Sequence, residues 1–176
     1  MAELIVLMGP TGAGKSVQGD FLAEDLGGVH LSSGNLLRED PKMAAMLADG
    51  RLAPAEEVEA IVSKAVDAVP LETPIILDGF PRTMSNVRWL EDELPKHHRT
   101  LRAVVLIELD LQTSLNRLGL RGRADDAPTS VQEKWDKYHT KTRPVIEYYD
   151  KLGLVRRVDG RGTISEVRAL VTEAIS

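Results

Sequence analysis

Leu4-Ile5-Val6-Leu7-Met8-Gly9-Pro10-Thr11-Gly12-Ala13-Gly14-Lys15-Ser16 decides how this chain is read. Its second half fits G-x-x-x-x-G-K-[ST], a loop that cradles phosphates. The five apolar residues before it read as a buried strand, and the residues from Lys15 onward as a helix. That is the strand–loop–helix setting the motif requires. Glycines let backbone N–H groups converge on phosphate oxygens, and the helix N-terminus adds the positive end of its dipole. Lys15 supplies a point charge and Ser16 a hydroxyl for Mg²⁺. The loop therefore points to a bound nucleoside triphosphate.

Working outward, the 176 residues are enough for one domain with a core and too few for two comfortable ones. A net charge of −5 argues against non-specific binding to nucleic acid or an anionic membrane. The chain has no cysteine, which excludes disulfides, zinc–thiolate sites and thiol nucleophiles and is consistent with a reducing cytoplasm. No stretch approaches the ~18 apolar residues of a membrane span.

Short β-like runs alternate with helical patterns throughout. Strands are expected over Glu3–Met8, Val29–Leu31, Pro74–Asp78, Ala103–Leu109 and Leu154–Val158. Helices are expected over Lys15–Leu26, Ser33–Asp40, Lys42–Asp49, Ala55–Ala68, Met84–Leu94, Leu111–Leu120, Val131–Asp150 and Ile164–Ile175. This alternation predicts an α/β, three-layer P-loop fold: a five-stranded parallel sheet covered on both faces. Two regions interrupt it. Between Leu31 and Pro74 lie helices and no strand, read as a small helical insertion, and Arg117–Pro128 breaks into a charged loop. Both are expected at the carboxyl edge of the sheet, where ligands bind in such folds.

A second constellation, Asp78-Gly79-Phe80-Pro81-Arg82-Thr83, directly follows the third strand. An aspartate ending a strand beside the P-loop strand can orient Mg²⁺ and its waters. Gly79 and Pro81 fix a sharp turn, and Arg82 is held where a second phosphate could sit. None of His30, His97, His98 and His139 forms metal-ligand spacing with another, and the chemistry needs none of them.

With the P-loop, His30-Leu31-Ser32-Ser33-Gly34-Asn35-Leu36-Leu37-Arg38, Asp78–Thr83, Arg121-Gly122-Arg123-Ala124-Asp125-Asp126, Lys141–Tyr149 and Val158-Asp159-Gly160 follow in one order. That order resembles the adenylate kinases and their UMP/CMP kinase relatives, over essentially the whole chain. The resemblance implies a core of residues 1–31, 63–120 and 127–176, a monophosphate-binding insertion at 32–62 and a vestigial lid at 121–126. It implies reversible transfer of the γ-phosphoryl group of ATP, with Mg²⁺, to a nucleoside monophosphate. AMP is the first expectation and a pyrimidine monophosphate the alternative; a small-molecule kinase of another kind and a silent nucleotide sensor rank below both.

Carried over by position, Gly12, Ala13, Gly14, Lys15, Ser16 and Val17 would wrap the ATP phosphates. Arg117 and the backbone near Gly162 would meet its base, and Arg121, Arg123 and Lys134 the transferring group. Ser33, Arg38, Arg51, Leu52 and Ala53 would hold the acceptor nucleotide. Gly79, Phe80, Pro81 and Arg82 would form its phosphate turn, and Asn86 would read its base. Ser16 and Asp78 would hold the metal, Asp78 through water. Closure of Ser32–Val62 would bring acceptor to donor, and a monomer is the default.

The chain departs from the family's pattern in several places. Val17 stands where the family has threonine, and Asn35 where it has aspartate. Gln132 and Lys134 replace two arginines, and lysine lacks the planar fork of guanidinium. One glycine separates Arg121 from Arg123, where relatives carry an insertion. Asn86 stands where adenylate kinases use glutamine and UMP/CMP kinases asparagine.

Overall fold

Consecutive residues of a strand face opposite ways, so a run such as Leu4–Met8 can be wholly buried only where both faces of the sheet are covered. The computed structural model describes residues 2–48, 53–121 and 128–176. Strands β1 (Ala2–Met8), β2 (Val29–Ser32), β3 (Ile75–Asp78), β4 (Arg99–Glu108) and β5 (Val155–Asp159) form one all-parallel sheet in the order β2-β3-β1-β4-β5. Leu4, Val6, Ile75, Leu77, Val104 and Leu106 enter the core on one face. Ile5, Leu7, Ile76, Val105 and Ile107 enter the core on the other.

Helices α4 (Ala55–Asp67), α5 (Met84–Glu93) and α8 (Arg143–Lys151) close the first face. Helices α1 (Lys15–Leu26) and α9 (Ile164–Ile175) close the second. α2 (Ser33–Glu39) and α3 (Pro41–Ala48) stand between β2 and α4; α6 (Leu111–Arg121) and α7 (Pro128–Lys137) follow β4. The α/β fold with five parallel strands is the one the sequence predicts.

Two elements differ from expectation, each for a physical reason. β4 starts at Arg99, four residues before Ala103, because Arg99 is itself buried. Its guanidinium donates to the carbonyls of Thr73 (2.8 Å), Val69 (3.0 Å) and Pro70 (3.1 Å), tying the strand's start to the turn before β3. The single helix expected over Val131–Asp150 is broken by a π-helical turn, Tyr138–Thr142. Pro144 has no N–H for the Thr140 carbonyl and its ring would crowd that carbonyl, while the Thr140 hydroxyl donates backward to the carbonyl of Asp136 (2.9 Å). Arg143 N–H reaches back to the Tyr138 carbonyl instead, a π-type bond.

β1 is the central strand, and the chain leaves it to opposite sides, toward β3 and β2 on one hand and β4 and β5 on the other. Ligands of open α/β sheets bind outside the carboxyl ends of the strands at such a switch point. The P-loop and Asp78 both lie there, with Leu7 paired to Asp78 in the register of β1 and β3.

Candidate active site

The loop after β1 reaches α1 through glycines that tolerate positive φ: Gly9 at 146°, Gly12 at 77° and Gly14 at 84°. Gly9 is required by close approach as well, since a Cβ there would fall 2.4 Å from the Ile107 carbonyl oxygen of β4. α6 braces the loop from the same side, where the Ser114 hydroxyl donates to the Thr11 carbonyl at 2.7 Å. Lys15 Nζ donates to the carbonyls of Gly9 (3.0 Å) and Pro10 (2.9 Å), so its charge lies over the loop.

The ends of the helices differ in a way that matters for anions. Asp40 caps α3, Thr83 caps α5, Asp110 caps α6, and Thr163 with Glu166 forms a capping box on α9. α1, like α2, α4 and α8, has no side-chain cap, and its N-cap, Gly14, has no side chain that could supply one. Its first-turn N–H groups are thus left for phosphate oxygens. Val17, in that turn, is 42% exposed.

Across the loop, the Ser16 hydroxyl donates to Asp78 Oδ2 at 2.6 Å. That leaves the serine oxygen's lone pairs for a metal ion. Asp78 is buried, and its Oδ1 has no hydrogen-bond partner among the described residues. Burial pushes the carboxyl up, but the facing His30 ring, the Lys15 charge and the Ser16 hydroxyl outweigh it and hold Asp78 below the ordinary aspartate value. A charged, half-satisfied carboxylate beside a free hydroxyl oxygen fits Mg²⁺ and its waters.

His30 is one of the four histidines that sequence reasoning leaves without a role. Its Nδ1 pairs with Asp20 Oδ1 at 2.7 Å, and its Nε2 faces Asp78 Oδ2 at 3.8 Å. Burial alone would lower its pKa, but the two carboxylates outweigh it and raise it. The Asp20–His30–Asp78 chain joins residues from α1, β2 and β3, so no local spacing announces it.

One residue beyond Asp78 a second cluster begins. Gly79 has φ 78°, and a Cβ on it would fall 2.7 Å from Ser33 Oγ and 3.1 Å from Arg82 Nη2. Arg82 Nε donates to the Gly79 carbonyl at 2.6 Å, which turns the guanidinium back over the strand end. Arg38 is near enough to act on Arg82 as a like charge, and its Nη2 donates to Asn35 Oδ1 at 2.5 Å. Phe80 packs edge-on against Trp89 at 5.6 Å, and the Phe80–Pro81 peptide is cis. Asn86 is buried in the first turn of α5: its Oδ1 accepts from Arg82 N–H (3.3 Å), and its Nδ2 donates to Glu59 Oε1 (2.8 Å). Ala53 lies two residues before the start of α4.

On the other flank, Arg117 Nη2 donates to the Gly162 carbonyl at 3.1 Å, joining α6 to the turn before α9. Lys134 and Gln132 lie on α7, where Gln132 bonds Asp136 one turn on. Arg121 ends α6. The expectations placed on Arg51, Leu52, Arg123, Asp125 and Asp126 lie outside the described residues.

An uncapped helix behind a glycine loop, and a carboxylate shared between that loop and a metal-competent hydroxyl, serve a ligand that carries phosphates. The adjoining arginine cluster has the chemistry to hold a second one. The class is therefore that of a P-loop phosphotransferase. The family model described as adenylate kinase matches residues 7–154. Adenylate kinase of Prochlorococcus marinus strain MIT 9211 is 34% identical, covering 99% of this chain and 98% of that protein. Adenylate kinase of Thermus thermophilus is 32% identical over 99% and 98%. That of Micrococcus luteus is 33% identical over 97% and 89%. The chain belongs to the adenylate kinase family, and is accordingly an ATP-dependent nucleoside monophosphate kinase.

Proposed function

We propose that the enzyme transfers the γ-phosphoryl group of Mg·ATP reversibly to AMP, giving two ADP. The observation that carries this reading is that two phosphate clusters share one strand end. Asp78 faces the P-loop, and Gly79, the next residue, lies under Ser33 and Arg82. Two nucleotides bound there would bring their phosphates together.

In this reading Gly12 through Val17 hold the ATP phosphates on the α1 N-terminus, and Arg117 and Gly162 meet the donor base. Ser33, Arg38, Arg51, Leu52 and Ala53 hold the acceptor nucleotide in the insertion at 32–62, and Gly79, Phe80, Pro81 and Arg82 hold its phosphate. Asn86 reads its base. Phosphoryl transfer needs no side-chain nucleophile, only positioning and fixed positive charge around the equatorial oxygens. Lys15 steadies the moving group, with Arg82, Arg121, Arg123 and Lys134 around it. Ser16, and Asp78 through water, would hold Mg²⁺, which neutralises charge between the phosphates. A monomer suffices, since every group named comes from one chain.

A pyrimidine acceptor rests on Asn86 alone; the relatives described above are all named adenylate kinase. The test is kcat/KM with AMP, CMP, UMP, dCMP and GMP. AMP is expected to lead, and a higher value with CMP or UMP would overturn the reading. Lys15→Ala is expected to lower kcat by about 10²–10³, the cost of removing one preorganised charge donor.

A further inference from the structure

Asn86 is held at both ends before any base arrives. Its Oδ1 accepts from Arg82 N–H and its Nδ2 donates to Glu59 Oε1, which fixes which end of the amide points where. An asparagine amide has two lone pairs and two N–H groups. One of each remains, and beside the remaining N–H lies a half-buried carboxylate whose second oxygen can only accept. Glu57, two residues earlier on α4, pairs with Lys42, whereas Glu59 makes no ion pair among the described residues.

From this juxtaposition we propose that Glu59 is a specificity-determining residue of the acceptor site, selecting a base that offers an exocyclic amino group and rejecting one that offers a carbonyl there. The inference rests on the reading of Asn86 as the base reader. An adenine presents its amino group next to ring nitrogen N7: N7 takes the remaining Asn86 N–H, and the amino group donates to the second oxygen of Glu59. Hypoxanthine keeps N7 as an acceptor and differs from adenine at this edge alone in carrying a carbonyl in place of the amino group. It sets a carbonyl oxygen against a carboxylate that has no proton to give, and leaves that buried acceptor unpaired. Discrimination of this kind comes as much from repulsion of the wrong ligand as from attraction of the right one.

Glu59→Gln changes the sign of the contact at nearly constant volume. Its amide oxygen still accepts from Asn86 Nδ2, and its amide N–H groups can now donate to a carbonyl. Steady-state kcat/KM is to be measured with AMP and with IMP for the unmodified enzyme, Glu59→Gln and Glu59→Asp, with direct titration of both nucleotides for each. In Glu59→Gln the IMP-to-AMP ratio of kcat/KM is expected to rise about tenfold or more, carried by KM and Kd rather than kcat. In Glu59→Asp, which keeps the charge, the ratio is expected to stay within about threefold of the unmodified enzyme. A ratio unchanged in Glu59→Gln, with both nucleotides weakened alike, overturns the inference while leaving AMP kinase activity intact. An unmodified enzyme inactive on AMP overturns the functional reading itself, and this inference with it. If Glu59→Gln fails to fold, Glu59→Asp and the unmodified enzyme still decide: no preference for AMP over IMP in either is the overturning result.

Discussion

At the residue scale, charge alone does not describe what a phosphate site asks of a cation. Lys134 stands on α7, and its ammonium is a compact, rotating donor. A guanidinium offers five N–H groups in a planar fork that matches the oxygens of a phosphoryl group. Lys134→Arg is therefore expected to raise kcat/KM by about three- to tenfold, through kcat, because the extra donors engage the transferring group. A value equal to or below that of the unmodified enzyme, in a steady-state assay with both substrates varied, would show that α7 is not part of the clamp. Residues tied to a loop geometry were legible in the same way. Gly14, Lys15 and Ser16 are fixed by the backbone they serve, so their spacing carries their chemistry. Glu59, Asp20 and His30 were not legible, because each acts across the fold on a partner from another element. Glu59 reaches Asn86 over 27 positions, and no motif links them.

At the element scale, Glu93 is the polar hub that holds α5 to α4. It accepts from Ser63 (2.9 Å) on α4 and pairs with Lys96 (2.8 Å) and His97 (3.3 Å) just beyond its own helix. The Lys96 ammonium above all holds its carboxyl below the ordinary glutamate value against the opposing effect of burial; Ser63 and His97 help. A carboxyl depressed in the folded state adds stability that is complete above its unfolded pKa and fades as pH falls toward the folded one. The thermal midpoint is thus expected to drop as pH falls below about 4.3, and Glu93→Gln to lower it at pH 7 and flatten that acid limb. An acid limb equally steep in the variant would place the titration elsewhere. Most elements were legible because periodicity reports which faces are covered: α1 and α9 run where the pattern puts them. The exceptions turn on single residues that override the pattern. Arg99 reads as a surface charge and is a buried clasp, while the weight of Pro144 falls four residues upstream, on the carbonyl to which it has no N–H to donate.

At the scale of the whole molecule, the sheet order gathers cations from distant parts of an acidic chain at one edge. Lys15 follows β1, Arg82 follows β3 and Arg117 follows β4, and β1 lies between the other two strands. In the proposed transfer water must be kept from this edge, since it is a competing acceptor for a metaphosphate-like group. The resemblance to adenylate kinases assigns that cover to chain between two arginines, and here Gly122 alone separates Arg121 from Arg123. Six residues, 122–127, span the interval from α6 to α7. So short a stretch of sequence offers little side-chain surface with which to displace water from the phosphates. The cost should fall on fidelity rather than on speed. A short cover has less to open and close, so product release is not slowed by it. Hydrolysis of ATP without an acceptor should then be a larger fraction of kcat than in a long-lid relative, by about tenfold if exclusion of solvent is the main loss. Release of inorganic phosphate measured without AMP, side by side with such a relative at matched turnover, tests this. A leak no larger than the relative's would mean that Arg121 and Arg123 exclude water without a lid's surface.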